Sequence, residues 1–218
     1  MNGHADPLMT SEEYLAFEEA STERHEYFRG RIFALSGASD EHDAIVINVS
    51  GNLYTQLRRR PCRVFSSDVK IKAERMALYT YPDATVVCGK PIFEDAARTV
   101  LLNPTVIFEV LSPSTEKYDR GKKFQYYRSI PSLQEYVLVA CDMRHIEHYI
   151  RQDNGTWQFS SASAESPTLT LPSIGCVLEL DDVYEKVEFP DDGSDSGASG
   201  NFGQTSASTK KSIQERPR

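Results

Sequence analysis

The middle third of the chain holds the residues whose types and spacing could do chemistry. Glu109 interrupts an otherwise apolar run, Val106-Ile107-Phe108-Glu109-Val110-Leu111, bounded by Pro104 and Pro113. Such a run reads as a strand covered on both faces. An unpaired carboxylate there would cost several kcal/mol or be driven to its neutral form, so something must compensate it. Asp83 opens a second apolar strand directly after Pro82. If the two strands are neighbours, the carboxylates meet at one edge of the sheet and repel unless protonated or bridged by a cation. Oxygen-only ligands of this kind suit Mg²⁺ or Mn²⁺. A buried ion pair with Lys or Arg is the alternative for Glu109, and a turn or strand-end role is the alternative for Asp83.

The following segment, STEKYDRGKKFQYYRSI, puts Asp119, Lys123 and Tyr127 one turn apart on a single helix face, with Ser114 or Thr115 able to cap its start. A lysine beside two metal-binding carboxylates can hold an attacking water or a scissile phosphate. The same spacing also describes an i,i+4 Asp119–Lys123 surface pair. Three further groups are weaker candidates. His42 reads as a structural histidine or a residue at the site's edge, and Asp68 as an outward strand residue or a neighbour of the site. His145 and His148, three apart in one strand, would lie on opposite faces and make no metal pair. Trp157 and the tyrosines read as packing.

The elements that must carry these groups follow from local pattern. Thr10 to Glu13 has capping-box spacing and opens a helix to about residue 19. Residues 31–35 form a strand beyond the turn at Arg29-Gly30. Asp40 caps a helix to about residue 60, with Ile45, Val49, Leu53 and Leu57 inward and Pro61 as its stop. Strands are expected at 62–72, 77–80, 84–88, around Glu109, at 136–140 and at 177–180. A helix is expected at 115–129, and a hairpin joins 144–151 to 156–160 through Asp153-Asn154-Gly155. The mixture implies an α/β (α+β) domain with a mixed sheet.

Composition bounds the function. The 218 residues suit one ordinary domain, with 39% hydrophobic and 26% charged residues. No apolar segment reaches the ~18–20 residues of a membrane span, and the N-terminus lacks a secretory pattern. The scattered Cys62, Cys88, Cys141 and Cys176 are expected as free thiols in a reducing cytosol, hence a cytoplasmic protein. A net charge of −8 argues against a coat of nucleic acid, and the basic clusters Arg58-Arg59-Arg60 and Lys117 to Arg128 read first as solvated helix faces. Residues 190–218 are rich in Gly and Ser and are read as a disordered tail whose four acids and four bases cancel, leaving 1–189 as the folded domain.

Pro82-Asp83, Glu109-Val110-Leu111-Ser112-Pro113-Ser114-Thr115, Asp119-Arg120-Gly121-Lys122-Lys123 and Glu135-Tyr136-Val137-Leu138-Val139 together resemble the Uma-two family of restriction-endonuclease-like proteins in the PD-(D/E)XK nuclease superfamily. Glu26 ahead of Arg29-Gly30-Arg31, and Gly37-Ala38 before Glu41-His42, match as well. The resemblance implies a mixed central β-sheet flanked by helices, with C-terminal β-hairpin additions. It implies a Mg²⁺ (or Mn²⁺) site with Asp83 and Glu109 as ligands, Lys123 as the catalytic lysine and Glu26 as a further acid. The superfamily's usual lysine stands two residues after the acidic ligand, where this chain has Leu111; Lys123, or Lys122 in its stead, matches the family's pattern. The implied activity is hydrolysis of DNA phosphodiesters, with low DNA affinity given the acidic charge and a homodimer suited to cutting two strands. The rival readings are a catalytically silent binding or regulatory protein, and a hydrolase of smaller phosphate esters.

Overall fold

The computed structural model describes residues 8–35 and 37–189, and the local signals largely set its elements. Thr10 caps α1 (Ser11–Ala20) in a complete capping box with Glu13. Arg29 and Gly30, both at positive φ, turn β1 (His25–Phe28) into β2 (Arg31–Ala34). Gly30 is also needed for space, since a Cβ there would lie 2.8 Å from the Leu8 Cβ. Helix α2 (Asp40–Leu57) is capped by Ser39, one residue before the expected Asp40, and that shift leaves Asp40, Glu41 and Asp43 in the first turn where the helix dipole favours acids.

The expected single strand at 62–72 is two. β3 (Cys62–Ser66) and β4 (Lys70–Ala73) are separated by a turn and belong to different sheets. There follow β5 (Leu78–Thr80), β6 (Ala84–Cys88), β7 (Val100–Leu101) and β8 (Val106–Leu111). The expected helix is one helical run in three parts: α3 (Glu116–Tyr118), a π-helical turn (Asp119–Lys123) and α4 (Phe124–Tyr127). Next come β9 (Glu135–Ala140), the β10 (Ile146–Arg151)–β11 (Trp157–Ala162) hairpin, the β12 (Thr168–Leu171)–β13 (Cys176–Glu179) hairpin and α5 (Leu180–Val183).

The central six-stranded sheet runs β11-β10-β9-β8-β6-β3 and is mixed, with β8 and β9 parallel and joined through the α3–α4 run. A five-stranded sheet, β2-β1-β5-β4-β7, lies beside it. Alternation along β8 divides the core. Val106, Phe108 and Val110 join Ile45, Val49, Leu53 and Leu57 of α2 and the β12–β13 hairpin. Ile107 and Leu111 join Tyr127, Tyr136, Ile71 and Leu78 on the opposite face. A mixed sheet flanked by helices, with a C-terminal hairpin, is the expected α+β class.

Two cysteine expectations are overturned. Cys62 and Cys88 are directly opposite across β3 and β6, with Cα atoms 4.0 Å apart, and form a disulfide; Cys141 and Cys176 are free. The expected tail, 190–218, lies outside the described residues.

Candidate active site

Antiparallel pairing of β6 with β8 sets Ala84 opposite Phe108, so Asp83 and Glu109 come together at the end of β6. The Val110 N–H donates to Asp83 Oδ2 at 2.7 Å, fixing that carboxylate against β8. Glu109 is on the α3–α4 side of the sheet and only 4% exposed. The Tyr127 hydroxyl donates to its Oε1 at 2.6 Å, and Lys123 Nζ is 2.9 Å from the same oxygen. The two options open for Glu109, a buried ion pair or a site with a lysine from the next helix, therefore converge on one residue.

Lys123 is itself buried and held by more than Glu109. Its Nζ is 3.3 Å from Asp119 Oδ1 and 3.5 Å from Glu26 Oε1. Glu26, on β1, is anchored by the Thr80 hydroxyl. The π-helical turn faces both Asp119 and Lys123 inward, while the neighbouring Lys122 is exposed. Of the two readings of the Asp119–Lys123 spacing, the pair forms but is not on the surface: Asp119 is 3% exposed. His42, on the cleft side of α2, has Nε2 3.4 Å from Asp83 Oδ2. These residues line a cleft of about 990 Å³ between α2, the Ser112–Thr115 loop and β1.

The electrostatics are those of a site short of positive charge. Burial, with Asp119 and Asp83 nearby, pushes the Glu109 carboxyl well above the usual carboxylate range, against the pull of Lys123. Burial also raises Asp119. Burial by itself pulls Lys123 down, yet Glu109, Glu26 and Asp119 hold it well above the usual ammonium value. Burial opposes charge on His42 as well, but the bond to Asp83 keeps it above its ordinary value. One ammonium thus serves three carboxylates, with Asp83 close by.

Among the described residues, no hydrogen bond reaches Asp83 Oδ1 or Glu109 Oε2. Two hard oxygens, a shortage of positive charge and an opening to solvent fit a divalent cation of the Mg²⁺ type. No cluster of three or more His, Cys, Asp or Glu arranged to hold a metal occurs among the described residues.

Asp68 is not part of this cluster: it lies in the turn before β4 and pairs with Arg24. His148 is buried against Glu135, with Nε2 to Oε2 at 2.5 Å, and His145 precedes the strand, so they form no pair. Tyr127 and Thr80, which hold the two glutamates, were not singled out for this purpose. Tyr127 carried a signal in its one-turn spacing from Lys123, whereas Thr80 carried none.

Comparisons with known proteins bear on the family and the fold. Residues 11–181 match the Uma2 family model, described as "Putative restriction endonuclease". Two uncharacterized proteins of Synechocystis sp. (strain ATCC 27184 / PCC 6803 / Kazusa) are similar. One, slr1290, is 39% identical over 184 residues, covering 84% of this chain and 95% of its own length. The other, sll1609, is 35% identical over 159 residues, covering 73% and 90%. In fold, the chain resembles a crystal structure from Anabaena variabilis described as a "putative nuclease belonging to DUF820". That likeness has a TM-score of 0.66 at 18% identity and covers 81% of this chain and 97% of the other.

Proposed function

Starting from the fact that this chain belongs to the Uma2 family, we propose that it is a metal-dependent endonuclease that hydrolyses DNA phosphodiester bonds. Asp83 and Glu109 would hold Mg²⁺ or Mn²⁺, which when bound supplies Lewis-acid polarisation of the phosphate and a more acidic water. Lys123 orients the attacking water or offsets charge growing on the scissile phosphate. Glu26 and Asp119 keep the ammonium protonated and aimed. Tyr127 and the Val110 N–H fix the two ligand carboxylates, each by one oxygen, so that the second stays available. The helical lysine replaces the one that Leu111 cannot supply.

The observation that carries this reading is the meeting of Asp83 and Glu109 from adjacent strands with Lys123 2.9 Å from Glu109 in one cleft. The test is nicking of supercoiled plasmid in Mg²⁺ by the parent, Asp83→Asn and Glu109→Gln proteins. Each variant should lose at least about a hundredfold in rate, and calorimetry should show their Mg²⁺ and Mn²⁺ binding reduced. Variants that nick as fast as the parent would sink the proposal. The net charge of −8 favours a second reading, hydrolysis of smaller phosphate esters. Turnover of an aryl phosphodiester well above that of plasmid and oligonucleotide would select it.

A further inference from the structure

Helix α2 has one face that the described fold leaves without a partner. Its core face is Ile45, Val49, Leu53 and Leu57, and its flank toward the C-terminal hairpin is bound through Asn48 to the Val183 and Glu185 carbonyls and through Gln56 to Val177. On the remaining face Ile47 is 61% exposed and Tyr54 is 66% exposed. Gly51 lies between them, and a Cβ placed there would meet nothing within 4 Å. The stripe is bounded by Asp43, which also stands at the edge of the cleft, and by Arg58 at the C-terminal side; both are exposed and neither is in an ion pair among the described residues. Ile47 and Tyr54 stand two turns apart on this one face of the helix, both open to solvent.

The order along this stripe is self-complementary. Laying two copies of α2 antiparallel about a two-fold axis beside Gly51 sets Ile47 of each copy opposite Tyr54 of the other. The same operation sets Asp43 of each opposite Arg58 of the other, so the acid-to-base order of the helix becomes two symmetric ion pairs. Gly51, lacking a Cβ, lets the helices approach at the axis. A two-fold interface must be complementary to itself in just this way. We infer that the Asp43–Ile47–Gly51–Tyr54–Arg58 face of α2 is a homodimer interface in which two copies of this chain pair antiparallel. The helix is about 27 Å long, so the contact lies at the small end of specific interfaces and the dimer should be reversible in the micromolar range. The inference concerns assembly alone and stands whether or not the cleft cuts DNA.

The test is sedimentation equilibrium of the full chain across the micromolar range, without metal or DNA. The parent should pass from one chain to two as concentration rises. Ile47→Asp and Tyr54→Asp, both outside the core, should raise the dissociation constant at least about tenfold. Asp43→Arg alone and Arg58→Asp alone should each weaken self-association, because each sets like charges opposite. Mixing those two variants should restore dimers, and so should combining both changes in one chain. A parent monomeric throughout overturns the inference, whether the face is covered by residues 190–218 or by a different protein. Dimerisation that none of these substitutions alters overturns it too.

Discussion

Lys123 is the residue on which the site turns. Three carboxylates share it, and two of them, Glu109 and Asp119, are raised by burial. Lys123→Met should therefore act on stability as well as chemistry. It leaves buried acids without their counter-charge, a loss of about 3–5 kcal/mol, readable in urea denaturation, together with loss of plasmid nicking. Lys122→Met, one position away on the exposed side, should change stability by less than about 0.5 kcal/mol and leave nicking intact. An equal effect of the two would show that the helical run does not aim Lys123. Tyr127→Phe removes only the hydroxyl that Glu109 accepts from. It should cost about 1–3 kcal/mol and weaken Mg²⁺ binding in calorimetry, because the carboxylate proposed as a ligand loses its anchor.

At the scale of elements, the chemistry depends on how β6, β8 and the α3–α4 run are brought together, and each has its own support. The Cys62–Cys88 disulfide ties β3 to β6 at the end of β6 remote from Asp83. Replacing both cysteines by Ala should lower stability by about 2–4 kcal/mol, measured by denaturation under oxidising conditions, with nicking per folded molecule unchanged. His148 on β10 is bonded to Glu135 on β9, whose other oxygen accepts the Ser173 N–H from the turn of the C-terminal hairpin. His148→Ala should cost about 1–3 kcal/mol, seen as a lower melting midpoint.

What the sequence could and could not say about these elements has physical causes. Glu109 was conspicuous because an acid in a doubly covered strand demands compensation, and α1, α2 and the β10–β11 hairpin showed in caps, helical spacing and turn residues. β3 and β4 merged into one because the alternation of Val69 to Lys72 was carried back across Ser66-Ser67-Asp68, a polar run that in fact marks the turn. β1, His25-Glu26-Tyr27-Phe28, shows no alternation, whereas Thr168-Leu169-Thr170-Leu171 of β12 alternates fully and was legible but not read. The π-helical turn has the composition of an α-helix, since an i→i+5 bond leaves no mark in residue types. The disulfide was hidden because cross-strand register, not sequence spacing, sets Cys62 opposite Cys88.

For the molecule as a whole, the last described packing is that of Val187 and Phe189 against the α2 side of the core, with Phe189 and Tyr184 rings 5.5 Å apart. A chain ending at Phe189 keeps every described core residue and should melt within error of the full chain by calorimetry. A chain ending at Leu180 loses buried Val183 and Tyr184 and should melt well below it. If both melt alike, the folded unit does not extend to 189.

The ammonium shared by Glu26, Glu109 and Asp119 has a consequence for how such a protein exists between encounters with substrate. Many metal-dependent sites cannot hold their acids together until the ion arrives, so chelation unravels them. Here the chain carries a resident counter-ion of its own, tethered by a covalent stem and impossible to wash away. Its fold should be indifferent to chelator: a melting curve in EDTA should overlay the curve without it, even where cleavage stops. Such a protein would be kept as a finished but idle tool, with the supply of divalent ion, not the folding of the chain, deciding when it works.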